Sequence, residues 1–358
     1  MRQILIFGFL CSFILLMGCE TEPDNNGNTS SPGSDGWSIP KDEIFDGGPG
    51  KDGIPALTDP EFISAEAAEY LNDDELVIGF VHGDEARAYP HHILDWHEII
   101  NDRVGEVNIS LTYCPLTGTG IGWNREIDGN VTTFGVSGLL YNSNLIPYDR
   151  ETNSNWSQMR LDCVNGKLRG REVETFPLVE TTWLTWREMY PSTKVVSRNT
   201  GHNRNYGRYP YGNYRTAHSY LIFPVANEDD RLPNKERVLG IVQSGSVRVY
   251  SFSSFGDAVS VINDKLNGKN FVIVGNREDN FMVSFINDPG DGSTLSFSAV
   301  QGQYPVVMTD TEGNLWDVNG RAVAGPRKDT RLGTSPSFIG YWFSFAAFYP
   351  DLSIYGDS

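Results

Sequence analysis

The chain has 358 residues, of which 39% are hydrophobic and 12% aromatic, and carries a net charge of −18. That length suits about two domains of roughly 150 residues, each able to bury an ordinary core. The acidic balance argues against nucleic acid or an anionic membrane surface as a partner, because both need clustered Lys and Arg.

Arg2 gives a positive start, and Ile4 to Met17 form a short apolar run. It is too short for the roughly 20 residues that span a bilayer and reads as the core of a signal peptide over residues 1–18. The run ends Leu16-Met17-Gly18-Cys19, which resembles a bacterial lipobox and makes Cys19 the expected lipidation site. The expected location is therefore the cell envelope, with the membrane as partner through the lipid. Residues 19–36 contain Glu, Asp, Asn, Gly, Ser, Thr and Pro and no large apolar residue. Such a stretch cannot bury enough surface to fold and reads as a flexible tether.

Beyond the tether, Glu75–Val81 and Ala86–Tyr89 read as two short strands across the turn His82-Gly83-Asp84-Glu85. Pro90 suits the first turn of a helix, and the spacing predicts one from His91 to about Asn101. On it His91 and Glu98 share a face with Asp95 beside them. His91 and His92 are expected to be solvated. Val107–Tyr113 alternates like a half-buried strand. Ile121–Asn124 and Val131–Val136 are expected to pair across Ile127-Asp128-Gly129-Asn130. Trp183–Tyr190 reads as an aromatic helix stopped at Pro191.

A second pass of the same pattern follows. Arg237–Val242, Val247–Tyr250 and Val261–Asp264 echo Glu75–Val81, Ala86–Tyr89 and Ile99–Asp102 at a near-constant separation. Further echoes set Asp149 and Trp156 against Asp310 and Trp316, and Trp183 and Trp186 against Trp342 and Phe345. The expected plan is an internal duplication. Block one covers residues 37–198, a Tyr-, Gly- and Pro-rich connector 199–236, and block two 237–358. The second block is expected to carry strands Val238–Val242, Val247–Phe252, Phe271–Val274, Phe281–Ile286 and Thr294–Ala299, with helices Gly256–Leu266 and Tyr341–Phe348. Strands dominate, so the fold class is α+β and β-rich, with few short helices.

Asp52-Gly53-Ile54-Pro55-Ala56, Ala86-Arg87-Ala88-Tyr89-Pro90, His97-Glu98-Ile99-Ile100-Asn101-Asp102 and Tyr113-Cys114-Pro115-Leu116 occur in order. So do Phe134-Gly135-Val136-Ser137-Gly138-Leu139, Asn142-Ser143-Asn144-Leu145 and Trp156-Ser157-Gln158. With these motifs the chain resembles a bacterial and archaeal family of unassigned activity, domain-of-unknown-function family 3179, over nearly all of residues 52–355. Members generally carry Cys-Pro-Leu-Cys, a pair that implies redox exchange or soft-metal binding. Here Thr117 stands in the second position.

Cys114 and His97 have no counterpart in block two, whereas Arg87, Tyr89, Asn101 and Asp102 do. That contrast points to a site around His97 and Cys114. Glu98, Asp149, Ser157 and Gln158 are further ligand-binding candidates. As a binding protein, the chain would hold a small ligand or a soft metal, copper or zinc, on Cys114 and His97. As an enzyme, Cys114 would be the nucleophile, His97 the base and Asn101 or Glu98 the orienting group. As a scaffold, the duplicated body would be purely structural. Cys114 and Cys163 remain after processing, as a disulfide or a free pair.

Overall fold

The computed structural model describes residues 36–357. The signal peptide, Cys19 and nearly all of the tether therefore lie outside the described residues. Strands dominate, and each of the three α-helices is seven residues long: α1 (His91–His97), α2 (Trp183–Met189) and α3 (Trp342–Phe348). No helix among the described residues is long and apolar enough to cross a membrane.

Three five-stranded sheets form most of the first half. The hairpin Leu76–His82/Glu85–Pro90 is flanked by Val179–Thr182, antiparallel, and by Lys194–Val196, parallel. Ile99–Val104, Val107–Cys114 and Thr119–Asn124 form a meander. Phe134–Tyr141, Asn144–Asp149, Asn155–Ser157 and Asp162–Asn165 follow one another in the third sheet. The second half repeats the order of pairings. The hairpin Arg237–Gln243/Ser246–Ser251 has Ser337–Tyr341 antiparallel on one side and Ser353–Ile354 parallel on the other. Ser260–Leu266, Lys269–Asn276 and Phe281–Ile286 form a meander. A four-stranded sheet starts at Phe297–Gln303.

Several bonds have the same form in both halves. The Trp156 indole N–H donates to Asp149 at 3.1 Å and that of Trp316 to Asp310 at 2.8 Å. A buried indole needs such a partner. Tyr89 donates to Asp102 at 2.7 Å and Tyr250 to Asp264 at 2.6 Å. Gly79 lies under the Trp186 ring and Gly240 under that of Phe345, so closely that a Cβ at either would overlap the ring. The cores interlock. Trp186 of α2 shares a cluster with Phe281 and Trp316, and Trp342 and Phe345 of α3 share one with Trp123 and Trp156.

Three expectations fail locally, and one alternative left open is settled. The first helix stops at His97. Glu98 takes a left-handed φ of 57°, and Ile99–Val104 is a strand. Asn101 is thus not on the helix with His97, and Glu98 sits just past its end. Gly256–Leu266 is no helix, since Ser260–Leu266 is a strand. The β-branched pairs Ile99-Ile100 and Val261-Ile262 suit a pleated sheet better than a helix. Val131–Val136 does not pair with Thr119–Asn124. The Asp128-Gly129 turn closes only the small hairpin Glu126–Ile127/Asn130–Val131. Cys114 and Cys163 are both free and buried, not joined in a disulfide.

Candidate site at the Cys114 cleft

Pro90 opens α1, and the chain leaves it at Glu98. His91 and Asp95 fall at positions i and i+4 on one side of α1, and Glu98 follows its end. All three are buried. His91, expected in solvent, faces the Tyr113 hydroxyl at 3.3 Å through Nδ1. Its Nε2 lies 3.7 Å from Glu180, with no hydrogen bond. Burial, with Arg215 and Arg237 nearby, drives its pKa well down, so the ring is neutral. His92 is half-buried and pairs with Glu75 at 2.8 Å. Asp95 accepts from Arg215 at 2.8 Å through one oxygen, and its other oxygen is buried without a partner. Burial pushes this carboxyl up to about 6 even beside the guanidinium.

Glu98 and Cys114 meet in one small cleft. Its walls are mostly apolar: Ile54, Leu116, Val136, Leu139, Leu140, Leu145 and Phe223, with Tyr211 the third polar side chain. Burial pushes the Glu98 carboxyl up to about 8, against the facing Tyr211 hydroxyl, which favours the charged form. The Cys114 thiol is pushed up to about 11 by burial and by Glu98. Its weak donor bond goes to the Ser143 carbonyl at 3.7 Å. At neutral pH both groups are therefore uncharged, and Cys114 lacks the electropositive surroundings that make a reactive thiolate. Thr117 faces the Cys114 thiol and accepts from Asn144 at 2.9 Å, so the position of the missing cysteine lies at this site.

The structure does not join His97 to Cys114. The ring nitrogens of His97 are bonded to the Pro55 carbonyl at 2.7 Å and the Tyr206 hydroxyl at 2.6 Å. With both nitrogens engaged, the ring has none to turn toward copper, zinc or a nucleophile. Among the described residues, no three His, Cys, Asp or Glu side chains gather as a metal site. Asn101, expected to orient His97, instead bridges strands: it donates to the Phe134 carbonyl at 2.9 Å and accepts from the Phe134 N–H at 2.8 Å. Asp149 spends its oxygens on Thr152, Ser154 and Trp156. Gln158 donates to Thr112 and Thr119 and accepts from Asn144. Ser157 is buried, and its carbonyl accepts from the Leu161 N–H at 3.0 Å.

The connector is part of the site. Tyr206 reaches His97, and the Arg208 carbonyl accepts from the Trp96 indole at 3.1 Å. Tyr209 donates to the Pro115 carbonyl at 3.1 Å. Arg215 stacks 3.7 Å over the Tyr209 ring while holding Asp95. Tyr211 and Phe223 wall the cleft. Sequence reasoning named Cys114 and Glu98, set Asp95 beside His91 and Glu98 without a role, and missed Arg215 and Tyr211 as site residues.

A family model described as "Protein of unknown function (DUF3179)" matches residues 51–352. No curated protein and no solved structure matches the chain.

Proposed function

The chain belongs to this DUF3179 family, and we propose that it is a lipid-anchored envelope protein that binds a small, largely apolar ligand in the Cys114 cleft. One observation carries the reading: an apolar cleft with three polar side chains, Glu98, Cys114 and Tyr211, whose burial favours their uncharged forms. Apolar pockets with a few placed polar groups are the usual form of small-molecule sites. Uncharged lining groups favour an uncharged ligand, since a charge entering such walls loses its hydration without compensation. A soft metal is not part of this reading, because His97 is fully engaged and the thiol is held neutral.

The two halves are read as related copies, the second without counterparts of His97 and Cys114. Support comes from the repeated pairing order and from the matched pairs Asp149–Trp156 with Asp310–Trp316 and Tyr89–Asp102 with Tyr250–Asp264. Superposing residues 54–196 on 237–355 tests this; strands out of register remove it.

N-phenyl-1-naphthylamine, a neutral dye that brightens in apolar surroundings, tests the cleft. The mature protein is expected to bind it saturably. Leu139→Trp, at a half-buried wall position, is expected to weaken binding by about tenfold or more by filling the space. Unsaturable binding, or equal binding by a folded Leu139→Trp protein, removes the reading. The anchor has its own test: Cys19→Ser is expected to move the protein from the membrane to the aqueous fraction, and retention in the membrane overturns it.

A further inference from the structure

The three polar side chains of the cleft differ in what they still have to offer. The Cys114 thiol, a weak donor, is turned to the Ser143 carbonyl. The Tyr211 hydroxyl faces the Glu98 carboxyl. Glu98 itself is 6% exposed. No Lys or Arg lines the cleft. A protonated carboxyl keeps one O–H to donate while its other oxygen accepts.

We propose that the cleft selects apolar molecules bearing a carbonyl oxygen, which accepts a hydrogen bond from the Glu98 carboxyl. Ketones, esters and aldehydes fit this description. A carboxylate does not, because it would enter apolar walls with no cation to meet it. The inference rests on the ligand reading of the cleft.

Burial supports the protonation state that donation requires, holding the carboxyl up to about 8. A carboxylic acid kept neutral by an apolar site is a known hydrogen-bond donor to substrate oxygens. The titratable groups around Glu98 are Asp95 on α1, Cys114 at the end of its strand, and Tyr211 of the connector. Asp95 ionises first, near 6, and its charge disfavours ionisation of Glu98. Cys114 is pushed up to about 11, and Tyr211 is raised further. Between pH 6.5 and 9.5, Glu98 is thus the member of this set that changes charge.

Two neutral dyes compared at pH 6.5 and 9.5 on the mature protein test the proposal. One is the ketone 6-propionyl-2-dimethylaminonaphthalene, and the other is N-phenyl-1-naphthylamine, which has an N–H and no carbonyl. The ketone is expected to bind about tenfold tighter at pH 6.5 than at 9.5, where the carboxylate has lost its donor and repels the oxygen. The amine is expected not to weaken, because a carboxylate accepts from its N–H. Glu98→Gln keeps an N–H donor and should bind the ketone equally at both pH values. Glu98→Leu should lose the ketone by about tenfold at pH 6.5 while still binding the amine. Retained amine binding shows that the variant's cleft is intact.

A ketone affinity that is flat with pH in the wild type, or unchanged in Glu98→Leu, overturns the carbonyl assignment and leaves the cleft standing. Failure of both dyes to saturate the wild type removes the cleft as a ligand site, and the assignment with it.

Discussion

Arg215→Met is expected to destabilise the protein by about 2–3 kcal/mol at pH 8, with a smaller loss at pH 5. The Asp95 side chain is only 2% exposed and accepts from Arg215 at 2.8 Å. Removing one partner of a fully buried pair costs roughly 3–5 kcal/mol, because the other charge is stranded. Arg215 keeps 37% of its side chain in water, so the lower figure applies. At acid pH Asp95 escapes by taking up a proton. Its carboxyl already sits near 6, and loss of the guanidinium raises it further. The double variant Arg215→Met/Asp95→Asn strands no charge and should regain most of the loss at pH 8. Urea unfolding of the wild type, the single variants and the double variant at both pH values measures the coupling. If Arg215→Met and the double variant are equally stable at pH 8, the pair does not secure the connector to α1. The consequence reaches the cleft, since Tyr211 and Phe223 are carried by the same connector.

Much of the strand plan was legible, and the reason is local. Leu76–His82, Glu85–Pro90, Arg237–Gln243 and Phe281–Ile286 are short apolar or alternating runs bounded by turn residues, and each is a strand. The end of α1 was not legible. Ile93, Leu94, Ile99 and Ile100 are fully buried, and His91, Asp95, His97 and Glu98 are buried among them, so burial marks no single face. Periods of 3.6 and 2 cannot be told apart in such a run. That one error set Asn101 on a helix with His97 and produced a dyad whose members bond elsewhere. Asp149 and Gln158 misled differently. Hydrogen-bonding residues in sequence look the same whether they face a ligand or hold a turn, and here their partners are internal. Cys114 and Glu98 were found because their motifs are local. Tyr211 and Arg215 were not, because a connector with no period gives no signal of what it packs against.

Glu98→Gln is expected to stabilise the protein by an amount on the order of 3 kcal/mol at pH 9 and by almost nothing below about pH 4.5. The folded carboxyl is pushed up to about 8 from an ordinary value of 4.5, chiefly by burial. As pH rises through 4.5 the unfolded chain gives up this proton while the folded chain keeps it. Stability therefore falls across the window from about 4.5 to about 8, and above 8 the folded protein holds a carboxylate among apolar walls. A raised carboxyl behaves opposite to the depressed ones elsewhere in the chain. Asp264, paired with Arg248, and Asp310, bonded to Asn314 and Trp316, lose stability as pH falls. The whole-protein pH curve mixes both kinds, so only the difference between Glu98→Gln and the wild type isolates this group. Urea midpoints at pH 5, 7 and 9 should diverge steadily, with the variant on top. Parallel curves would mean that the carboxyl ionises at its ordinary value, and the neutral character of the cleft would go with it. A divergence that levels off near pH 8, where ketone binding begins to fall, would trace both effects to one proton.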